Sequence, residues 1–387
     1  MEKGKGMKLH VVSFQVPYPP TYGGLIDVYY KLKALHRAGC RVTLHTYLYG
    51  EAGKEDDALG QVAERVYYYR RRTGVRKACT LLPYIVASRC DPALLENLCQ
   101  DDAPILFEGL HTCYFLSHPR LAGRELWVRT HNVEHDYYKG LAKSAAWGLS
   151  KLYYGLEAIR LRHYEDVLCH ATRIYAISPA DAAHFTKAYP HAKIFCLPCF
   201  YDDSSEGDGE DGILANPALP WDGQYVLYHG NLAVEENIRA VCHIVRCVLP
   251  LAQGVKLVVA GGHPPEALRK EWEKGGNVRV MVNPSKQEID SLIAHARANI
   301  LLTFQPTGVK LKLLHALSKG CGECVVNSAM LPDERFGSIC IVADAEQALA
   351  DALVRCWNAP VSASLREKHC CRLRELGYGN DVGCLLD

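Results

Sequence analysis

Two lysines, Lys310 and Lys312, follow Gly308 where the apolar run Asn299–Phe304 gives way to a helical pattern, Thr307-Gly-Val-Lys-Leu-Lys-Leu-Leu-His-Ala-Leu317. Cations in the first turn of a helix oppose its dipole. An anion beside them reverses that penalty, and a diphosphate shared between free helix amides and lysine is sound chemistry. Without such an anion, the same residues describe one solvated lysine on each side of an amphipathic helix.

Four other loops combine glycine or polar side chains with the end of an apolar run. Gly23-Gly24 precedes a helical pattern, so a ligand can approach the backbone and meet free amides. Alone, the pair also describes an ordinary turn. Tyr228-His-Gly-Asn-Leu232 offers close backbone approach at Gly230 and hydrogen-bonding groups at Asn231 and His229, with Asn237 in the next helical turn; a strand-to-helix cap fits equally. Val259-Ala-Gly-Gly262 allows a phosphate or a tight turn. Arg129-Thr-His-Asn-Val-Glu-His-Asp136 gathers two histidines and two carboxylates, suited to acid/base work, to hydrogen bonding of a sugar, or to metal binding if they converge in space. It also reads as a polar loop capping the helix that follows.

The elements around these loops alternate. Leu9–Phe14 is a buried strand, Ile26–Ala38 a helix stopped by Gly39, and Val42–Tyr47 the next strand, a βαβ start that predicts a parallel sheet. Apolar runs recur at Val66–Tyr69, Ile105–Phe107, Leu126–Val128 and Ile174–Ile177. A helix spans about 145–171, with Leu149, Leu152, Tyr153, Leu156 and Ile159 at helical spacing. The acidic stretch Asp202–Gly212 has no apolar anchor and reads as a linker. Beyond it strands fit Tyr225–Tyr228, Lys256–Ala260, Val278–Val282, Asn299–Leu302, Cys324–Val326 and Ile339–Val342, with helices over Ile238–Leu249 and Lys286–Ala296. Two α/β domains follow: residues 1–205 and 213–357, with 358–387 expected to pack back toward the first.

Composition narrows the chemistry. The 387 residues suit two domains, and 49% hydrophobic content is enough for two cores. A formal net charge of +1 gives no argument for nucleic acid. No apolar run reaches the roughly 18 residues of a membrane span, and the first residues lack the apolar core of a secretory signal. The 17 cysteines therefore read as buried thiols. Cys196/Cys199 and Cys321/Cys324 lie too far apart for a zinc ribbon, which wants its pairs roughly 15–20 residues apart. No Gly-x-Gly-x-x-Gly follows either first strand, and no P-loop is present, which removes the main support for hydride transfer or P-loop chemistry.

In this order, Gly23-Gly24, His131-Asn-Val-Glu134, Ile177-Ser178-Pro179-Ala-Asp181, Tyr228-His-Gly-Asn-Leu232, and Gly308-x3-Lys312-x2-His315-Ala316 followed by Gly320 and Asn327 resemble the retaining nucleotide-sugar glycosyltransferases of glycosyltransferase family 4. The resemblance covers most of the chain. It implies a GT-B fold, two Rossmann-like doubly wound domains facing a central cleft, with the donor in the C-terminal domain. It further implies that Gly23, Gly24, Gly230, Asn231, Lys310 and Lys312 serve the donor diphosphate. Val282, Asn283, Thr307, Gly308 and His315 would serve nucleoside and sugar, and His131 and Glu134 the chemistry. No metal and no cofactor are expected. The substrate is a nucleotide sugar, UDP- or GDP-linked ahead of ADP-linked, and the acceptor a glycan or polyprenyl-diphosphate-linked glycan.

At one place the chain departs from the family. Many members carry Glu-x7-Glu where this sequence has Thr307 and His315. One imidazole hydrogen bond replaces a charged carboxylate contact worth roughly 1.5–3 kcal/mol. That departure motivates two alternatives: a GT-B sugar-nucleotide epimerase, and a GT-B binding protein of weak or no activity. The basic, aromatic run Tyr67–Lys77 holds Arg70, Arg71, Arg72, Arg76 and Lys77 and suits an anionic membrane or a lipid-diphosphate acceptor; a solvated charge run is the plain alternative. A cytoplasmic protein, peripheral on the inner membrane face, is the corresponding expectation.

Overall fold

The computed structural model describes residues 5–49, 57–74, 80–145, 147–203, 219–304 and 310–386. Arg76, Lys77, Thr307 and Gly308 lie outside them. The chain divides into two compact units, Met1–Tyr201 with Asn380–Asp387, and Asp202–Gly379. The return to the first unit thus begins at Asn380, and residues 358–379 stay with the second.

Among the described residues the first unit holds seven strands: β1 (Lys8–Ser13), β2 (Arg41–Leu48), β3 (Arg65–Arg70), β4 (Ile105–Glu108), β5 (Leu126–Thr130), β6 (Arg173–Ala176) and β7 (Lys193–Cys196). All pair in parallel, in the order β3-β2-β1-β4-β5-β6-β7. Their apolar runs are continuous because both faces are covered. Val12, Phe107, Val128 and Ile174 join one core layer, while their neighbours Val11, Leu106, Trp127 and Tyr175 join the other. Helix α1 (Gly23–Arg37) covers the second layer through Leu25, Val28, Leu32 and Leu35. Strand β7, whose apolar run ends at Cys196, was not given bounds from the sequence; it is a half-exposed edge strand paired on one side.

Its further helices include α2 (Glu134–Ser144), α3 (Leu149–Tyr164) and α4 (Pro179–Ala188). The expected helix over 145–171 begins at Leu149 and tightens into a 3₁₀ turn over Glu165–His170. Its Leu149, Leu152, Leu156 and Ile159 face outward, and Ala158 and Leu161 form the buried side.

The second unit holds β8 (Val226–His229), β9 (Leu257–Gly261), β10 (Val278–Val282), β11 (Ala298–Leu301), β12 (Glu323–Val326) and β13 (Ile341–Val342), parallel in the order β10-β9-β8-β11-β12-β13. Its helices include α5 (Glu235–His243), α6 (Lys286–His295), α7 (Leu311–Lys319) and α8 (Ala363–Glu375). Ser285 and Glu288 form a reciprocal capping box at the start of α6. Among the described residues no helix is long and apolar enough to cross a membrane.

Strand order reverses once in each sheet, between β1 and β4 and between β8 and β11. Loops leaving the C-terminal ends of such neighbours diverge, and the crevice between them is where open parallel sheets bind ligands.

Glycine sets the walls of the second crevice. A Cβ on Gly261 would lie 1.9 Å from the carbonyl oxygen of Gly230, so the two strand ends touch backbone to backbone. Gly261→Ala is expected to lower stability by about 3 kcal/mol, the upper part of the usual overpacking range. Gly155→Ala, in the body of α3 with open space around it, is expected to raise stability by about 0.5–1 kcal/mol. Urea denaturation of the two variants checks both signs.

Candidate functional site

In the second unit the crevice is built from the ends of β8 and β11. Beyond His229 the chain is held by Gly230 N–H donating to Ala260 O at 3.0 Å and Leu232 N–H donating to Gly262 O at 2.9 Å. Asn231 Oδ1 accepts from Ala233 N–H at 3.0 Å, and its carbonyl accepts from Asn237 Nδ2 at 2.8 Å. Helix α5 then starts with Glu235 and Glu236 in its first turn, so its positive end is met by its own acids. Glu236 Oε1 also accepts from Thr303 Oγ1 at 2.8 Å and from Phe304 N–H at 2.5 Å, which joins α5 to the loop after β11.

Helix α7 starts differently. It has no acidic residue in its first turn and no side-chain cap, and Lys310 stands at its N-cap. The ammonium of Lys312 donates to Tyr228 Oη at 3.2 Å and to Asn237 Oδ1 at 3.0 Å, both neutral. It lies 5.0 Å from the Tyr228 ring centre. Burial, then the neighbouring Lys310 charge, push Lys312 down to about 8. Burial also lowers Lys310, against a pull from Glu236. Two crowded cations at an acid-free helix start make a site that an anion would stabilise.

His315, four positions from Leu311 on α7, has its Nε2 2.6 Å from Asp290 Oδ1. Lys286 Nζ donates to Asp290 Oδ2 at 2.7 Å and lies 2.6 Å from Asp202 Oδ2. Burial would push the Asp290 carboxyl up, but His315 and Lys286 hold it at about 2. His229 meets His315 edge to face at 5.7 Å. Burial, then His315 and Lys312, hold His229 well below the usual histidine range, so it is neutral. Nearby strand ends carry the other named positions. Val282 is partly exposed at the end of β10, and Asn283, with φ 50°, accepts from His263 N–H at 3.1 Å through Oδ1.

In the first unit, α1 begins at Gly23 with no side-chain cap and no acid in its first turn. Gly24 is needed there: a Cβ would sit 2.9 Å from Phe14 Cζ. Below it lies a buried charge network. Lys31 Nζ donates to Glu108 at 2.8 and 2.9 Å and to Asp27 at 3.1 Å. Arg129 Nε donates to Asp27 Oδ2 at 3.3 Å, and Phe200 N–H to Asp27 Oδ1 at 2.7 Å. Burial alone would raise both carboxyls; Arg129 and Lys31 hold Asp27 well below the carboxylate range, and Lys31 and His131 hold Glu108 low.

His131 sits over this network, Nε2 3.1 Å from Glu108 Oε2 and Nδ1 3.7 Å from Asp27 Oδ2. Phe14 touches its ring edge to face at 5.5 Å. Asp27, Glu108 and His131 have the geometry of three metal ligands, but the Lys31 ammonium already supplies the positive charge between the two carboxylates. Glu134 turns inward. Burial, reinforced by the Glu165 and Asp181 charges against a hydrogen bond from Asn132, raises its carboxyl to about 7, and its Oε1 has no partner.

Asp27, Lys31, Glu108, Glu236 and Asp290 were not named from the sequence, and Arg129 and Lys286 appeared only as the first residues of a loop motif and a helix. A signal existed for some. Glu108 and Arg129 close otherwise apolar strands, and Asp27 and Lys31 stand one turn apart within a helix whose other inward positions are apolar.

No family model matches the chain. A relative from Klebsiella pneumoniae, described as an uncharacterized 44.6 kDa protein in the cps region, is 25% identical over 330 residues, 80% of each chain. Among solved structures, sucrose-phosphate synthase from Thermosynechococcus elongatus superposes with a TM-score of 0.67 at 14% identity over 96% of both chains. The chain has the GT-B fold. An α,α-trehalose-phosphate synthase (UDP-forming) from Burkholderia xenovorans, in complex with glucose-6-phosphate, gives 0.62 at 13% identity over 98% of each. The E. coli trehalose-6-phosphate protein bound to UDP-2-fluoro glucose gives 0.61 at 10% identity, over 98% and 97%. At these identities the GT-B likeness concerns architecture, and the chain's activity is argued from its own residues.

The Glu134 carboxyl makes a signed prediction. A carboxyl raised on folding stabilises the protein most when both states are protonated, and that contribution is lost as pH rises from about 4.5 through about 7. Glu134→Gln is expected to remove this fall and to gain on the order of 2 kcal/mol at pH 8 relative to the native chain. Thermal denaturation from pH 5 to 9 measures it; an unchanged slope counts against a buried, protonated Glu134.

Proposed function

We propose that the protein is a glycosyltransferase that moves a hexose-type sugar from a nucleotide-sugar donor to a glycan or polyprenyl-diphosphate-linked glycan, without a metal and with retention of anomeric configuration. The observation that carries this reading is Lys312: a half-buried ammonium, hydrogen-bonded to neutral partners and destabilised by Lys310 against the pull of Glu236, at a helix start with no acid in its first turn, beside a sheet reversal. A donor diphosphate there would accept from helix amides and both lysines. Its negative charge grows as the sugar leaves, so the same groups favour the transition state over the bound donor. Gly230 and Asn231 wall the β8 side, Val282 and Asn283 serve the nucleoside, and Thr307, Gly308 and His315 serve sugar and ribose. In the first unit, the resemblance assigns Gly23 and Gly24 to the donor diphosphate, and His131 and Glu134 to the chemistry.

The resemblance to family 4 supports retention and metal independence. UDP in two of the neighbours' descriptions makes UDP-sugars the first donors to test. The basic run at Arg70, Arg71 and Arg72 suits a lipid-linked acceptor or an anionic surface, consistent with a peripheral place on a membrane's inner face and a part in polysaccharide synthesis.

One observation favours a second reading. His315, where family members place a glutamate, already spends its Nε2 on Asp290. A protein that binds the nucleotide sugar and transfers slowly or not at all would show the same pair.

A thermal-shift series with UDP, GDP, ADP and their sugars tests the donor site, since a ligand specific for the native state raises the melting point. A UDP or GDP compound is expected to raise it, and Lys312→Ala to abolish the rise. An undiminished rise in Lys312→Ala would overturn the diphosphate assignment. Transfer is then followed with chelator present: product on a glycan acceptor supports the enzyme, binding without product supports the second reading, and donor isomerisation without acceptor indicates an epimerase of the same fold.

The affinity also has a pH dependence. An anion favours charged Lys312, whose unliganded value is about 8. Nucleoside-diphosphate affinity is therefore expected to be level near neutrality and to fall as pH rises above about 8, by up to about tenfold per unit. Lys312→Arg, which stays protonated throughout, should bind without that fall; a fall that persists in it would place the titrating group elsewhere.

A further inference from the structure

The face that α3 turns outward has no part in the donor or acceptor chemistry above. Trp147 is 92% exposed, Leu149 86%, Leu152 71% and Ile159 59%, with Leu156 and Tyr153 also exposed. Leu149, Leu152, Leu156 and Ile159 follow the three- and four-residue spacing of one helix stripe, so they form a continuous apolar ridge about three turns long. Burying such a face in water-free surroundings is the usual reason for the pattern, and a ridge of this kind marks an interaction surface.

The exposed charges that α3 itself carries are of one sign. Lys151, Arg160 and Arg162 lie on α3, and its sole carboxylate, Glu157, is buried. Glu157 Oε2 accepts from Tyr84 N–H at 2.7 Å and Oε1 from Arg160 at 2.8 Å, so its charge is turned inward. The Tyr84 contact brings the arginine run alongside. Arg71 lies 5.7 Å from the Tyr84 ring centre and is bonded to Ser88, and its charge acts on Tyr153 of the ridge. Arg70 and Arg72 beside it are exposed. At the N-terminal end, Lys151 Nζ sits 4.7 Å over the Trp147 ring, a tryptophan–lysine pair suited to the boundary between headgroups and acyl chains.

We propose that the α3 ridge, Trp147-Leu149-Leu152-Leu156-Ile159, is a monotopic membrane-docking surface that inserts its apolar side chains into an anionic lipid leaflet, with Arg70, Arg72 and Lys151 on the headgroups. This does not depend on the transferase reading. The charge pattern selects the occupant. A second copy packed along the same stripe would bring Lys151 and Arg162 toward the same cations, with no carboxylate of the helix free to meet them. An anionic leaflet answers both the apolar stripe and its basic margin.

The test uses the full chain with vesicles of phosphatidylglycerol and phosphatidylethanolamine, and phosphatidylcholine vesicles for comparison. Co-sedimentation with the anionic vesicles is expected, weakened by salt and by neutral lipid. Leu149→Glu with Leu152→Glu should reduce binding by about tenfold or more, since two exposed side chains that would enter the acyl region become charged. These positions face solvent, so melting should be unchanged. Tryptophan emission should move to the blue on adding anionic vesicles, and Trp147→Phe should remove that change, a readout independent of the double variant. No binding to anionic vesicles, equal binding by the double variant, or an emission change that survives Trp147→Phe would each overturn the proposal. So would a native dimer that Leu152→Glu converts to monomer with no vesicle binding, which would make the ridge an interface between copies.

Discussion

A parallel sheet must cover both of its faces, and the covering helices leave free the edge where strands end. Nearly everything specific about this protein sits on that edge. In each unit the chain moves outward from a central strand, returns, and moves outward the other way, so the loops after β1 and β4, and after β8 and β11, part from each other. Polar groups collect there because the strand interiors, packed by Val12 and Phe107 on one side and Val11 and Leu106 on the other, have no room for them.

The two edges handle charge in opposite ways. In the first unit Asp27 and Glu108 face Lys31 and Arg129, a buried set that balances itself and holds His131 between two carboxylates. In the second unit α5 satisfies its own helix end with Glu235 and Glu236, while α7 presents Lys310 and Lys312 with no acid of its own. The first arrangement is complete without a ligand. The second crowds two lysines in partly buried surroundings against the pull of Glu236 from α5, and burial and that crowding are what depress Lys312.

Much of the fold was legible because buried parallel strands write themselves as short apolar runs, and twelve of the thirteen strands among the described residues coincide with runs given bounds from the sequence. The exception, β7, lies on an edge where only one neighbour and half a face are available. The crowded lysines, Lys310 and Lys312, were legible from their place after a strand. The charge network was legible only in part: Asp27 and Lys31 stand one turn apart on α1, but their partners on β4 and β5 lie 77 and 102 positions away and leave no local pattern. Asp290 was missed for the same reason: it reaches His315 from a separate helix. The apolar spacing on α3 was visible, but spacing reports that a face exists and says nothing of what covers it. Glu134 shows a third limit, since a loop carboxylate and an inward-turned one look alike in sequence.

The Asp27–Lys31–Glu108–Arg129 set also shapes how this protein can change over generations. Two acids and two bases cancel, and each is sealed from water. Losing any one strands a charge, a loss of several kcal/mol. Replacing an oppositely charged pair together does not. Drift at these four positions should therefore proceed by paired exchange, with Asp27 tracking Arg129 and Glu108 tracking Lys31. The polar heart of the first unit would then diverge in couples while its surface diverges one residue at a time.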